Sequence, residues 1–261
     1  MQGRDSGSGP GLLTLVGIGP GSAELLTPAA RKAVSKADFI IGYRTYLDQI
    51  RDLIRDDQQV AGSSMMQEID RCKKALKTAA KGGRTALICG GDPGIYSMAG
   101  LVFELARSTS HEGADLPQIE VIPGVAALNA CAALLGAPLM HDFAAISLSD
   151  LLTPWQLIEE RLHAAASADF VLVIYNPASR RRKDHMERAR RIIMKYRPGT
   201  TPAGVVRAAY RQDQSVRLTT LEGLKEHGLD MQCTVIIGNS KTFTWAGRII
   251  TPRGYGDKYG L

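Results

Sequence analysis

The stretch Thr85-Ala-Leu-Ile-Cys-Gly-Gly-Asp-Pro-Gly94 decides the fold. A short apolar run of strand length passes directly into turn residues, which is how a buried strand ends in a tight loop. The same order stands at Leu12-Leu-Thr-Leu-Val-Gly-Ile-Gly-Pro-Gly21, and again, shorter, at Ile119-Glu-Val-Ile-Pro-Gly124. Helical patterns lie between these runs. Thr27-Pro28 places an N-cap before an N1 proline and opens a helix to about residue 36. Residues 68–80 put Ile69, Cys72, Leu76 and Ala79 on one stripe. Residues 98–107 and 126–135 are helical as well, and 39–42 form a short strand. Strands alternating with helices predict a mostly parallel sheet with helices on both faces in the N-terminal half.

The second half changes character. Strands are expected at 143–148 and 170–175, with a helix opened by Thr153-Pro154 between them and a basic helix over 184–196. Beyond it strands crowd together at 203–208, 215–219, 233–238 and 245–250, interrupted only by a short helix near 221–226. Such close spacing implies antiparallel pairing, hence a mixed sheet with helices. The expected organisation is an α/β pair of domains, 11–122 and 123–252, hinged near Pro123-Gly124. Residues 1–10 are read as a flexible leader and 254–261 as a polar, Gly-rich tail.

Composition narrows the class. Of 261 residues, 44% are hydrophobic and 22% charged, which excludes a disordered or low-complexity chain. No apolar run approaches the ~18–20 residues that span a bilayer. The four cysteines, Cys72, Cys89, Cys131 and Cys233, form no CxxC pair and are too few for a disulfide scaffold, so a reduced, cytoplasmic protein is expected. The formal charge of +6 is local: residues 180–197 carry nine Lys/Arg against Asp184 and Glu187. A solvated helix face explains that run, because Met186, Ala189, Ile193 and Tyr196 recur behind the charges at helical spacing. A nucleic-acid surface and a funnel for a small polyanion are the alternatives.

Several chemistries are missing from the motifs. Gly17 and Gly19 begin a dinucleotide fingerprint, but Ser22 stands at its third glycine and Pro20 removes a backbone N–H from the turn. There is no P-loop and no nucleophile elbow. His111, His141, His163, His185 and His227 stand at no zinc-ligand spacing from another His or Cys, and each is read as a surface or packing residue. No protein-bound metal is expected. What remains is three glycine turns at successive strand ends, where open α/β sheets bind ligands.

Taken together the turns resemble the tetrapyrrole (precorrin) methylase family. Five boxes appear in order: Val16-Gly-Ile-Gly-Pro-Gly21, Gly90-Gly-Asp-Pro-Gly-Ile-Tyr96, Val121-Ile-Pro-Gly-Val-Ala-Ala127, Tyr175-Asn-Pro177 and Val205-Val-Arg-Ala-Ala209. Within the family, Ile146-Ser-Leu-Ser-Asp-Leu-Leu-Thr-Pro-Trp155, Tyr175-Asn-Pro-Ala-Ser-Arg180 and Thr234-Val-Ile-Ile-Gly-Asn-Ser240 resemble the branch that methylates C-17 of a corrinoid precursor and contracts the macrocycle in cobalamin biosynthesis. The resemblance implies a two-domain fold, S-adenosylmethionine as methyl donor, a tetrapyrrole substrate, with or without cobalt, and a homodimer. It assigns donor contacts to Pro20, Gly90, Gly91, Asp92, Ile95, Ala126, Ala127, Tyr175, Asn176 and Ala209. Relatives often carry Asn where this chain has Ala208.

Methyl transfer from a sulfonium to an electron-rich carbon needs in-line placement away from water more than it needs a strong base. A site rich in Gly, Ala and Pro suits it. Asp92 is expected to hold its turn and face the donor or substrate, or simply to make an Asx turn before Pro93. Ring contraction moves protons, so a general acid or base would help. Ser147, Ser149 and Asp150 are the candidates, in the segment that singles out this branch, with capping of the following helix by Asp150 or Thr153 as the bland alternative. His141 and Tyr96 are further candidates. Carboxylate arms on the substrate suit arginine, and Arg44, Arg180 and Arg211 are best placed, with Tyr96 as another substrate contact. The alternatives are a sister enzyme acting on another precorrin carbon, an RNA ribose methylase of the same superfamily, and a corrinoid carrier without activity.

Overall fold

The computed structural model describes residues 11–111, 115–179, 183–224 and 228–260. Arg180 and part of the expected 221–226 helix lie outside them. The chain divides into two compact units, Met1–Ala127 and Leu128–Leu261. The division falls just after the loop that carries Pro123-Gly124, where the sequence suggests a hinge.

The first unit runs β1 (Leu12–Gly17), α1 (Pro28–Lys36), β2 (Phe39–Tyr43), α2 (Arg44–Gln49), β3 (Gln59–Ser63), α3 (Glu68–Ala79), β4 (Arg84–Cys89), α4 (Ala99–His111) and β5 (Gln118–Ile122). Its sheet has the order β3-β2-β4-β1-β5, and every pair is parallel. Successive strand residues point to opposite faces. Leu13, Leu15, Leu87 and Cys89 therefore meet Cys72, Ala75, Leu76 and Val102 of α3 and α4 on one side. Val16, Ala86 and Ile88 meet Ala30, Val34 and Leu47 of α1 and α2 on the other. Burial on both faces is why these strands read as unbroken apolar runs. The cap of α1 is the expected one, with Thr27 Oγ1 accepting from the Ala30 N–H at 3.1 Å.

Some expectations fail here for local reasons. The stripe on α3 is rotated: Ile69 is 54% exposed, and Arg71 takes a buried place instead. Strand β3 and helix α2 carry no strong sequence signal. Helix α4 runs on to His111, beyond the expected residue 107.

The second unit runs α5 (Ala127–Leu135, opening at the division), β6 (Gly136–Ala137), β7 (Phe143–Ser147), α6 (Trp155–Ser167), β8 (Val171–Tyr175), α7 (His185–Ile193), β9 (Pro202–Arg207), β10 (Ser215–Thr220), β11 (Cys233–Ile237), β12 (Phe243–Trp245), β13 (Arg248–Ile250) and α8 (Tyr255–Tyr259). The order β10-β9-β11-β8-β7 joins one parallel pair, β7 with β8, to antiparallel ones, which is the expected mixed sheet. Leu172, Ile174, Val205 and Val235 pack with Ile158 and Leu162 of α6 and Met186, Ala189 and Ile193 of α7.

On the opposite face, Leu135 of α5 and Ile249 of β13 reach Gly204, and a Cβ there would stand 2.4 Å from a Leu135 methyl. The single strand expected over 245–250 is a hairpin. Ala246 and Gly247 both adopt positive φ, 47° and 70°, which fits a two-residue primed turn. The described part of the expected 221–226 helix, residues 221–224, is turn rather than helix, and the Gly-rich tail forms the short α8.

Candidate functional site: two strand-end rims

Because β4, β1 and β5 are neighbours running the same way, their three glycine turns emerge side by side. Gly19 and Gly91 exchange two backbone hydrogen bonds, at 3.1 and 2.8 Å. The third turn approaches them so closely that a Cβ on Gly124 would stand 2.2 Å from the Gly91 carbonyl oxygen. Only glycine permits this contact. Gly91 is glycine for another reason, its φ of +64°, since space around it is open to 3.8 Å.

Asp92 locks the arrangement. Its Oδ1 accepts from the Gly94 N–H at 2.8 Å, and Oδ2 accepts from the Gly124 N–H at 3.1 Å. The first bond is an Asx turn, so the bland alternative is correct as far as it goes. The second ties the turn after β4 to the turn after β5. Pro20, Ile95 and Ala127 are half-buried on this rim and Ala126 is buried. Tyr96 follows with φ +50° and is 54% exposed. The Tyr46 ring covers Gly90, where a Cβ would come within 2.5 Å of it.

In the second sheet β7, β8 and β9 all point their carboxyl ends the same way, because β11 runs antiparallel to both β8 and β9. Ser147, Ser149, Asp150, Tyr175, Asn176, Ala209 and Arg211 therefore stand at or just after strand ends on one rim. Ser147 Oγ accepts from Asn176 Nδ2 at 2.9 Å and from the Ser149 N–H at 3.2 Å. Asn176 holds φ +52°, and the Tyr175 hydroxyl accepts from the Leu128 N–H at 2.9 Å, satisfying a first-turn donor of α5. After β9, Ala208 and Tyr210 also hold positive φ, Ala209 is buried, and Arg211 Nε is buried with no hydrogen-bond partner among the described residues.

Neither Asp150 nor Thr153 is the helix cap. Pro154 occupies the cap position of α6, with no side-chain cap bond. Asp150 Oδ2 instead meets His185 Nε2 at 3.0 Å, and His185 Nδ1 meets Asp184 Oδ1 at 3.1 Å. The imidazole is buried and packs edge-on to Trp155, at 4.6 Å between ring centres. Arg188 stacks over the same indole at 4.1 Å. Sequence reasoning sets His185 aside as a packing residue. Its partner lies 35 positions away, so no local spacing could have revealed the pair. His141 is exposed beside Asp142, apart from this cluster.

The basic helix is engaged with its own protein. Glu187 pairs with Arg190 at 2.6 Å and with Arg191 at 2.9 Å, and Arg188 reaches Glu159 at 3.4 Å. Arg197 is buried and donates to the carbonyls of Phe170 and Gly238. The solvated-face explanation therefore accounts for Arg188, Arg190 and Arg191, whereas Arg197 is a buried structural cation. The four thiols are buried, and burial pushes Cys72, Cys131 and Cys233 up to about 11 and Cys89 to about 12, which makes them poor nucleophiles. Among the described residues, no group of three or more His, Cys, Asp or Glu is placed to hold a metal ion, and no helix is long and apolar enough to cross a membrane.

A parallel sheet with three interlocked glycine turns, followed by a mixed sheet with a polar strand-end rim, defines a ligand-handling α/β protein rather than a structural one. The family profile described as Tetrapyrrole (Corrin/Porphyrin) Methylases matches residues 12–225, and the chain belongs to that family. It is 47% identical over 251 residues to a protein of Priestia megaterium named cobalt-factor III methyltransferase, covering 96% of this chain but 46% of that one. The chain thus spans about half the length of that relative. It is 46% identical over 244 residues to a Salmonella typhimurium protein named probable cobalt-factor III C(17)-methyltransferase, covering 94% of this chain and 99% of that one. Among solved structures, that of the methyltransferase CobJ superposes with a TM-score of 0.86 at 34% identity, covering 93% of this chain and 100% of that one.

Proposed function

We propose that this chain methylates C-17 of a corrinoid precursor, cobalt-factor III or precorrin-3B, with S-adenosylmethionine as donor, and contracts the macrocycle. Support comes from family membership, from the names of two relatives 46–47% identical to it, and above all from the interlocked turns of the first rim. The chemistry of that rim fits the donor. It presents main chain and small side chains, and Asp92 is committed to holding the turns. When bound, S-adenosylmethionine supplies an electrophilic sulfonium methyl and leaves as S-adenosylhomocysteine.

In this proposal Pro20, Gly90, Gly91, Asp92, Ile95, Ala126 and Ala127 hold the donor. The family resemblance adds Tyr175, Asn176 and Ala209. Rigid turns matter because in-line transfer rewards placement, and the Gly19–Gly91 and Asp92–Gly124 bonds remove the freedom of three loops at once. Ser147, Ser149 and Asp150 serve the contraction. Ser147 Oγ already accepts two hydrogen bonds, which leaves its own proton free to be donated. Asp150, oriented by His185, is the group suited to accept one. Arg211, whose Nε has no partner among the described residues, and Arg44 receive carboxylate arms. The same role for Arg180 rests on the sequence alone. The family resemblance also supports a homodimer, which sedimentation would test.

Anaerobic incubation with S-adenosylmethionine and each precursor tests the reading. One added methyl by mass, with the absorption change of a contracted ring, is the expected result. Release of no S-adenosylhomocysteine with either precursor would overturn it.

A further inference from the structure

Arg71 is a buried cation without a carboxylate. Only 6% of it is exposed, yet among the described residues it forms no ion pair. Its Nε donates to Ser63 Oγ at 2.5 Å, Nη2 donates to the Ser64 carbonyl at 2.8 Å, and Nη1 points at the Met98 sulfur at 3.6 Å. Tyr43 lies 5.9 Å from the guanidinium carbon. Glu68, three residues before it on the helix, accepts from the Met66 N–H instead. A charge removed from water is retained at a cost unless something of opposite sign comes to it.

A second guanidinium stands at the same place. Arg44 follows β2 directly, and Gly62 lies beneath it: a Cβ there would meet Arg44 Cγ at 3.1 Å. Gly62 and Ser63 close β3 in register with Gly42 and Tyr43 of β2. Arg44 is exposed and, like Arg71, forms no ion pair among the described residues. One free and one buried cation thus converge on the carboxyl end of β3, the edge of a parallel sheet where ligands gather. Beside them Met65 and Met66 are 53% and 68% exposed, adaptable apolar surface suited to the face of a large ring.

We propose that the end of β3 is a carboxylate subsite, in which Arg44 makes the exposed contact and Arg71 is the buried counter-charge. The occupant is a carboxylate side arm of the tetrapyrrole. This rests on the function proposed above. The amino-acid carboxylate of the methyl donor is the other source of such a group. Distance disfavours it: the nearest of the interlocked turns follows β4, two strands from β3 and roughly 10 Å across the sheet at the usual strand spacing, and those after β1 and β5 lie farther still.

Titration with cobalt-factor III in the presence of S-adenosylhomocysteine isolates binding from chemistry. Arg71→Met and Arg44→Met should each weaken tetrapyrrole binding at least tenfold, with the affinity for S-adenosylhomocysteine kept. Arg71→Lys should fall between Arg71→Met and the unaltered protein, since it keeps charge but loses the planar fork. If Arg71→Met fails to fold, Arg71→Lys decides. Unaltered tetrapyrrole affinity in a folded Arg71 variant overturns the subsite, as does a loss confined to S-adenosylhomocysteine. Failure of the functional reading looks different: the unaltered protein then binds cobalt-factor III but leaves C-17 unmethylated when given S-adenosylmethionine. An unaltered protein that does not bind the tetrapyrrole overturns both.

Discussion

The carboxylate of Asp92 joins two turns by accepting the Gly124 N–H at 3.1 Å, while its other oxygen accepts the Gly94 N–H at 2.8 Å. Both acceptors belong to one ionised side chain, so the bonds are charge-assisted. Asp92→Ala removes both and should cost about 2 kcal/mol in urea unfolding, below the sum for two buried bonds of this kind because the group is half-exposed. Asp92→Asn keeps one acceptor but turns an amide NH2 toward the other N–H, and should cost about half as much. On the proposed function both variants lose affinity for S-adenosylhomocysteine in calorimetry, Asp92→Ala by about tenfold, or roughly 1.4 kcal/mol. Wild-type affinity in Asp92→Ala would remove the second turn from the donor site.

The glycines of this rim should respond unequally. Alanine at Gly124 places its Cβ 2.2 Å from the Gly91 carbonyl oxygen, a backbone atom that cannot swing away. Alanine at Gly91 meets nothing closer than 3.8 Å and pays only for a positive φ, about 1–2 kcal/mol. Gly124→Ala should therefore be the more damaging to stability, by about 2 kcal/mol or more. Equal denaturation midpoints for the two would contradict the close packing of the turns.

The turns after β1 and β4 were legible in the sequence because each follows an apolar run buried on both sheet faces, and period, length and terminating glycine agree; the turn after β5, an edge strand of exposed and half-buried residues, was legible from Pro123-Gly124. Strand β3 was not. It is an edge strand, Gln59-Val-Ala-Gly-Ser63, with exposed or half-buried residues and no apolar run. The β12–β13 hairpin was hidden because its turn uses Ala246 at positive φ rather than an Asn-Gly pair. Arg71 reads as a surface charge on an amphipathic helix until the rotation of that helix is known. The Asp150–His185 contact depends on tertiary folding alone. What the family boxes supplied was the list of residues at the rims. The hydrogen bonds that give them work appeared only in three dimensions.

On the proposed function, contraction and methylation should separate at Asp150. General acid or base groups contribute about 10²–10⁴ to a step, so Asp150→Asn should slow ring contraction by about a hundredfold. Methyl transfer, which relies on placement, should fall far less. His185→Phe removes the Nε2 contact at 3.0 Å but keeps a ring against Trp155, and its defect in contraction should be smaller than that of Asp150→Asn. The products are read by mass for the added methyl and by absorption for the ring. Parallel loss of both signals in Asp150→Asn would argue that the residue serves binding or folding instead.

Glu187 on α7 provides a pH test that does not depend on function. The hydrogen bond from Arg190, reinforced by Arg191, holds its carboxyl at about 2, well below the ordinary 4.5. A carboxylate with a depressed folded pKa stabilises the protein above its unfolded pKa, and that contribution is lost as pH falls through the folded value. The window is therefore about 4.5 down to 2. The pair is partly open to solvent, with Glu187 25% exposed, so screening keeps its net worth to about 1 kcal/mol or less. Glu187→Gln should lower the unfolding free energy from urea titration at pH 7 by that amount, and the two proteins should converge as pH approaches 2. A difference that persists at pH 2, or widens as the solution is acidified, would show that the cluster acts through packing rather than charge.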